Sequence, residues 1–189
     1  MNRSCLVFLI TIPIISFTSL ACTIFVGGPK YPNTSISISP EEVDKFIFQF
    51  QGVQTVAAQT GKITFSINET QITSLLAEKL ASQSDPFIQN PQIYLQNNEI
   101  VVYGKATQGI LTANIRINIL AKLDNNNQPK LTISSVDLGP LTIPEGFTNT
   151  VDTMLEQAFT GAIGPVASGI RLESINISDG VLTISGQIK

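Results

Sequence analysis

A long run of strictly alternating residues restricts the fold of this chain more than any other feature. Apolar residues stand at every second position from Ile115 to Leu123, and mostly polar residues stand between them. This period of two predicts a half-buried β-strand, because successive side chains of a strand point to opposite faces. The Asn-rich segment 124–128 predicts a turn that returns the chain into a second strand over residues 131–138. We therefore expect long antiparallel strands with one face in a core.

Two further hairpins are predicted from pairs of apolar segments that are joined by turn-forming residues. The paired segments are residues 93–95 with 100–104, and residues 170–177 with 181–188. Asn97-Asn98 joins the first pair, and Asp179-Gly180 joins the second, where it favours a tight turn. Only 13% of the residues are charged, while Ile, Thr, Ser, Asn and Gln are abundant, so the composition also favours strands.

Three amphipathic helices are predicted from capping residues and from apolar residues at helical spacing. The motif SPEE predicts a helix from Pro40 to about Phe50, and the motif NETQ, which resembles a capping box, predicts a helix that ends near Ser82. A third helix begins near Pro144. The predicted apolar faces contain Val43, Phe46, Ile47 and Phe50; Ile72, Leu75, Leu76 and Leu80; and Phe147, Val151, Met154, Leu155, Ala158, Phe159 and Ala162. Helices with such faces, together with long strands, predict an α+β fold in which amphipathic helices pack on an antiparallel sheet.

A helix followed by a hairpin occurs twice in this pattern. Ile93, Leu95, Ile100, Val102 and Gly104 have counterparts 82 positions later, and the apolar faces of the preceding helices match at an offset of 79. An internal duplication accounts for both matches. The alternation that any two hairpins share accounts for them as well, so both interpretations stay open.

The N-terminal residues 1–22 have the layout of an export signal. Arg3 precedes an apolar stretch that begins at Cys5, and a small polar patch leads to Leu20-Ala21-Cys22. This ending resembles a bacterial lipobox, in which the cysteine becomes the new N-terminus and its thiol is acylated, so Cys22 is the candidate site for an acyl group such as palmitate. Two alternatives stay open: an uncleaved anchor helix over Cys5–Val26, whose 22 residues are long enough to cross a bilayer, and cleavage after Ala21 with release of the protein.

The residues after this leader divide into a predicted spacer and a predicted domain. Residues 23–38 are rich in Gly, Pro and small polar side chains, which is typical of a flexible spacer. Residues 39–189 are long enough for one α+β domain. We therefore expect a bacterial extracytoplasmic protein that is anchored to the cell membrane through its N-terminus.

Several functional classes are disfavoured by what the chain lacks. It contains no histidine, which removes Ser-His and Cys-His nucleophile pairs and most catalytic zinc sites, so we expect no enzyme activity, cofactor or metal. A hydrolase with a pair of carboxylates stays open as a third candidate. The net charge is −3 and the basic residues are scattered singly, which argues against a nucleic-acid partner.

The order of these elements resembles a known group of small envelope proteins. An exported N-terminus is followed by INETQITSLLAEKL, a hairpin, two long strands ending in SVDLGPLTIPEG, a helix and a terminal NISDGVLTISGQI. This arrangement resembles the YpmS-like, YceB-like and LmeA-like envelope lipoproteins, which look like half-size relatives of the tubular lipid-binding domains. The resemblance covers residues 62–189 and implies a curved antiparallel sheet that cradles a long helix, with an apolar groove for phospholipid or another amphiphile.

Helical spacing selects the residues that are candidates for lining such a groove. They are Ile72, Leu76, Leu80, Phe147, Val151, Met154, Leu155 and Phe159. Residues 145–168 contain no Lys or Arg, as expected of a helix with a wide apolar face. Ordinary packing of the helix on the sheet explains the same face, so an envelope module that binds a protein or a cell-wall polymer, with a fully packed core, is the alternative to lipid binding.

Overall fold

The computed structural model describes residues 23–84, 86–125, 127–143, 145–149, 151–153 and 170–188. The fold is mixed α+β with strongly curled, antiparallel-rich β-structure, which confirms the predicted fold class at this coarse level. Its helices are α1 (Pro40–Thr60) and α2 (Glu69–Ala81), and residues 147–149 and 151–153 are also helical. Its strands are β1 (Ile24–Phe25), β2 (Lys62–Asn68), β3 (Ile88–Gln96), β4 (Glu99–Gln108), β5 (Leu111–Leu123), β6 (Pro129–Asp137), β7 (Ile170–Ser178) and β8 (Val181–Ile188).

The strands pair in two hydrogen-bonded groups rather than in one continuous sheet. The larger group has the order β1-β5-β4-β3, and β6 also pairs with β5; the smaller group has the order β2-β8-β7. All of these pairings are antiparallel except that of β1 with β5, which is parallel. β1 lies beside residues 111–112 of β5, and β6 lies beside residues 116–123 of the same strand.

The two central strands differ in how completely they are buried. In β5 the buried residues alternate as predicted, with Ala113, Ile115, Ile117, Ile119 and Ala121 in the core. In β4 every residue from Ile100 to Gly104 is buried, so both faces of this strand are covered. A continuous apolar run of this kind is typical of a strand that is buried on both sides.

Helix α1 is longer than the sequence predicted. It continues past Phe50 to Thr60 and ends at Gly61, which has a φ of 71° and donates its N–H to Ala57 O. Gly52 lies within the helix, where glycine lowers helix stability by about 1 kcal/mol relative to alanine, and the helix continues through it. The start at Pro40 is confirmed, but the side chain of Ser39 makes no capping hydrogen bond there.

Helix α2 and the strand that follows it show how local chemistry sets the element bounds. Asn68 and Gln71 form the capping box that the sequence predicted, with each side chain accepting from the other's backbone N–H. Strand β3 begins at Ile88, before the predicted segment 93–95, and contains Pro91 at a register shift between Gln89 and Gln92. A proline is tolerated in a strand at such a bulge because the ladder lacks a hydrogen bond there.

The two hairpins of the predicted repeat have matching register. Leu95 pairs with Ile100 in the first hairpin, and Ile177 pairs with Leu182 in the second, 82 positions later. Each hairpin also has a register shift at the corresponding place, between Gln89 and Gln92 in β3 and between Leu172 and Ser174 in β7.

Candidate functional site

Four of the five groove candidates that the structure describes belong to the main hydrophobic core. Phe147 is buried in it, and Ile72, Leu76 and Val151 are half-buried against it. Leu80 is buried on α2 but is not part of this cluster. The ring of Phe147 lies 4.7 Å, centroid to centroid, from that of Phe87, which follows α2. The remaining candidates, together with the predicted acylation site, lie outside the described residues: Met154, Leu155, Phe159 and Cys22. Binding of a ligand by these residues stays a prediction.

A cavity of about 650 Å³ lies at a different place, between the second half of α1 and strand β2. We call it the α1–β2 cleft. None of the five groove candidates that the structure describes lines it. Its lining residues are Gln49, Gly52, Val53, Val56, Thr60, Lys62, Thr64, Phe65 and Ser66.

The α1–β2 cleft has an apolar floor that is held in place by aromatic packing. Phe65 is buried, and its ring meets those of Phe46 and Phe50 edge to face at centroid distances of 5.3 Å. Such edge-to-face pairs fix the orientation of a ring beyond simple burial. Val53 is half-buried beside it, whereas Val56 is exposed. The apolar surface of the cleft is therefore preformed and reaches solvent along α1.

The rim of the cleft is polar and partly fixed by hydrogen bonds. Gln49 Oε1 accepts a hydrogen bond from Gln71 Nε2 at 3.0 Å, which ties this side of the cleft to α2. Thr60 Oγ1 donates to Val56 O at 2.9 Å and thereby closes the end of the helix. Lys62 is exposed at the start of β2 and places a cationic side chain beside an apolar floor. An apolar cavity with one cation at its rim suits an amphiphile with an anionic end.

Two polar side chains of α2, the buried Thr73 and the half-buried Glu69, accept hydrogen bonds from backbone N–H groups of the edge strand β3. Thr73 Oγ1 accepts from Ile93 N at 3.0 Å, and Glu69 Oε1 accepts from Leu95 N at 2.8 Å. Residues 69 and 73 are one helical turn apart, which matches the spacing of alternate amides along a strand. Sequence patterns missed these residues, because polar side chains in a helix are ordinarily assigned to solvent.

A strap formed by residues 29–36 crosses the face of the larger sheet that is turned away from the main core. It contacts β5, β4 and β3 in turn. Asn114 Nδ2 donates to Pro29 O at 3.1 Å, and the ring centroids of Tyr31 and Tyr103 lie 5.5 Å apart. Tyr94 OH donates to Thr34 O at 2.5 Å, and Ile36 N donates to Gln92 Oε1 at 2.6 Å. The composition of residues 23–38 did not predict this packing, and a spacer role for them stays a prediction.

One strap residue and two residues of β5 have side-chain polar atoms that are buried without a hydrogen-bond partner. Among the described residues these are Tyr31 OH, Arg116 Nε and Asn118 Oδ1. Burial, with a smaller contribution from the charge of Tyr94, raises the pKa of Tyr31 to about 12. Burial also raises the pKa of Tyr94, as do Glu69 and Tyr103 to a smaller extent. The covered face therefore disfavours the ionised phenolates.

Three of the described carboxylates accept structural hydrogen bonds. Glu69 accepts from a strand amide, Glu99 accepts from Asn118 Nδ2 at 2.7 Å, and Glu173 accepts from Gln187 Nε2 at 2.7 Å. Within the described ranges, no three His, Cys, Asp or Glu residues come together as a metal site would require. In the same part of the chain, no helix is both long and apolar enough to span a membrane.

Comparison with known proteins identified no family for this chain. No protein-family model matches it, and no curated protein matches it.

Proposed function

We propose that this chain is a membrane-tethered, extracytoplasmic protein that binds a lipid or another amphiphile without catalysis, and that the α1–β2 cleft is the binding site. The observation that carries this proposal is the cleft itself, with its buried Phe65 floor, its polar rim and a volume of about 650 Å³. Ligand sites are typically concave, largely apolar and 300–1,000 Å³ in volume.

The chemistry of the cleft supports an amphiphile over a uniformly apolar ligand. An acyl chain lies against Phe65, Val53 and Val56, where burial stabilises it by about 0.8 kcal/mol for each CH₂ group that leaves water. The anionic end of the same molecule lies near Lys62 at the rim. A phospholipid phosphate or a fatty-acid carboxylate meets both requirements.

The tether in this proposal rests on the first 22 residues of the sequence. Their basic, apolar and small segments, ending in Leu20-Ala21-Cys22, support export followed by acylation of Cys22. An uncleaved apolar helix that begins at Cys5 is the other form of anchor. It does not extend to Val26 as the sequence predicted, because Ile24–Phe25 form strand β1 and Val26 N is bonded to Thr112 O. Resemblance to the YpmS-like, YceB-like and LmeA-like envelope lipoproteins supports the same location and ligand class.

Substitution of Gly52 tests this proposal, because a larger side chain at this position fills the cleft without altering a core residue. An added Cβ at Gly52 meets no atom within 4 Å, so larger side chains fit there without a clash. Gly52→Phe places a ring in the cleft, whereas Gly52→Ala is the matched control that leaves most of the cleft open. Alanine also raises helix stability by about 1 kcal/mol relative to glycine, so the two variants separate occlusion from stability.

The measurement is the amount of lipid that co-purifies with each full-length protein, extracted with organic solvent and quantified by mass spectrometry. Lipid bound around the anchor is the same in all three proteins, so differences between them report on the cleft. We expect similar amounts for the wild type and Gly52→Ala, and a clear loss for Gly52→Phe. Equal amounts in all three proteins contradict binding in the cleft.

An interaction module for a protein or cell-wall partner is the second candidate. Burial of Phe147 in the main core, with Ile72 and Leu76 packed against the same cluster, favours it, because side chains that are packed against one another leave no groove between them. If the lipid assay shows no difference between the variants, this function is preferred.

We also propose that the helix–hairpin unit is duplicated. The support is the common register of the two hairpins and the register shift that both have at corresponding positions, near Gln92 and Ser174. Alternation of apolar residues does not by itself require a bulge at the same position in both hairpins, so the shared bulge position supports duplication independently of the alternation.

A further inference from the structure

Three exposed apolar residues lie together at one end of the larger sheet. Ile110, in the turn between β4 and β5, is 63% exposed, and the two residues of β1, Ile24 and Phe25, are 53% and 56% exposed. They are neighbours because Ile24 N donates to Ile110 O at 2.7 Å and Ile24 pairs with Leu111. We call these three residues the apolar tip.

The direction of β1 shows how the preceding chain approaches this tip. Along β1 the backbone runs parallel to β5, with Val26 N bonded to Thr112 O and Asn114 N bonded to Gly27 O further along. The chain therefore enters β1 from the tip end, through Thr23. In the sequence, Thr23 directly follows the 22 residues of the predicted export signal.

Covalent geometry limits how far the tip can stand from the anchor. Only Thr23 lies between Cys22 and Ile24, and the two residue steps that this makes span about 7 Å in a fully extended chain. The headgroup region of a bilayer is about 5–7 Å thick on each side. An acyl group on Cys22 therefore holds the tip within about one headgroup layer of the hydrocarbon, and an uncleaved helix that ends before β1 begins at Ile24 does the same.

The charges around the tip suit a membrane surface. Residues 23–29 and 106–113 contain no charged side chain. The charged residues that directly adjoin these two segments are Lys30 and Lys105, and both are exposed. They lie near each other because Lys105 pairs with Asn114, whose side chain donates to Pro29 O. Four residues of β5 separate Ile110 from Asn114, about 13 Å along the strand. A lysine side chain at this height reaches the lipid phosphates, and each such lysine strengthens binding to an anionic membrane by about 1 kcal/mol.

We propose that the apolar tip inserts into the outer surface of the membrane that carries the N-terminal anchor, with Lys30 and Lys105 at the level of the lipid phosphates. The domain then stands on the bilayer through Ile24, Phe25 and Ile110 and does not hang from a free linker. This inference rests on the tether of the proposed function, but it does not depend on ligand binding in the α1–β2 cleft.

The chain contains no tryptophan, so a single introduced tryptophan is a clean reporter of depth. Ile110→Trp places the reporter at the tip, and Phe25→Trp is a second tip reporter should the first variant fail to fold. Thr132→Trp is the control: Thr132 is exposed and pairs with Leu120, about 30 Å along β5 from the tip. Each full-length variant is reconstituted into vesicles of phosphatidylglycerol and phosphatidylcholine that contain a brominated phosphatidylcholine.

The readout is quenching of tryptophan fluorescence by bromine in proteins that float with the vesicles. We expect tip reporters to be quenched about threefold or more relative to Thr132→Trp, because interfacial insertion buries side chains about 5–10 Å. Equal quenching at the tip and at Thr132 in floating protein overturns the inference and leaves the tether intact. Failure of the wild type to float overturns both the tether and the inference, whereas failure of the lipid assay on Gly52→Phe concerns the cleft alone.

Discussion

Replacement of Thr73 by valine tests how helix α2 covers the edge of the larger sheet. Thr73 is 0% exposed, and its Oγ1 accepts the hydrogen bond of Ile93 N at 3.0 Å. Valine has nearly the same shape, so Thr73→Val removes the acceptor without creating a cavity. The Ile93 N–H is then buried without a partner, which costs about 1–3 kcal/mol of unfolding free energy.

The assay is urea unfolding of the full-length protein in non-ionic detergent, followed by far-ultraviolet circular dichroism. We expect a lower midpoint with an unchanged m-value, together with a melting temperature that falls by about 2–4 °C for each kcal/mol lost. Thr132→Val is the matched control on an exposed strand position, with an expected effect within about 0.5 kcal/mol.

Hydrogen exchange separates this mechanism from a general loss of stability. The Ile93 amide should exchange faster in Thr73→Val, beyond the change shared by other core amides, while the Leu95 amide keeps its bond to Glu69 Oε1. An unfolding free energy equal to that of the wild type, or an Ile93 amide that stays as protected as before, refutes the assigned role of Thr73.

Two further predictions concern the strap and the anchor. Because the pKa of Tyr31 is raised to about 12 in the folded protein and is about 10 in an unfolded chain, the unfolded state loses this proton first and stability falls from pH 10 to 12. Tyr31→Phe should remove that part of the decline, as measured by unfolding at a series of pH values. At pH 7 the substitution should be neutral or stabilising, because the unpaired hydroxyl of Tyr31 contributes no stability there. A marked loss of stability at pH 7 argues against the unpaired hydroxyl. For the anchor, intact-mass spectrometry should show that the wild type lacks residues 1–21 and carries acyl chains, whereas Cys22→Ser keeps its full mass. If both proteins have the unmodified full-length mass, the anchor is an uncleaved helix.

The parts of the fold that sequence predicts are those set by neighbours in the chain. The alternation through β5, the capping box of Asn68 and Gln71, and the Asp179-Gly180 turn all depend on residues within a few positions of one another. Local backbone geometry decides such features, so pattern analysis finds them. The end of α1 at Thr60 was missed because no strong breaker follows Phe50 and Gly52 is tolerated inside a helix.

Features set by distant contacts were not predicted. Tyr31 and Tyr103 are far apart in sequence, and small polar residues surround Tyr31 in a segment with the composition of a linker. One signal was present, since the uninterrupted apolar run from Ile100 to Gly104 indicates a strand that is covered on both faces. The candidate site likewise differs from the predicted groove, because the α1–β2 cleft depends on the second half of α1, which the sequence did not predict as helix.

The most direct test of lipid binding in the α1–β2 cleft is a crosslinking map. Cells that produce the full-length protein are supplied with a fatty acid that carries a mid-chain diazirine, illuminated, and the labelled peptides are sequenced by mass spectrometry. The proposal predicts labels within residues 49–60 and 62–66, the two segments that contain the lining residues of the cleft. It also predicts that these labels are lost in Gly52→Phe but not in Gly52→Ala. Labels confined to α2 around Ile72 and Leu76, or no labelled peptide from the domain, contradict it.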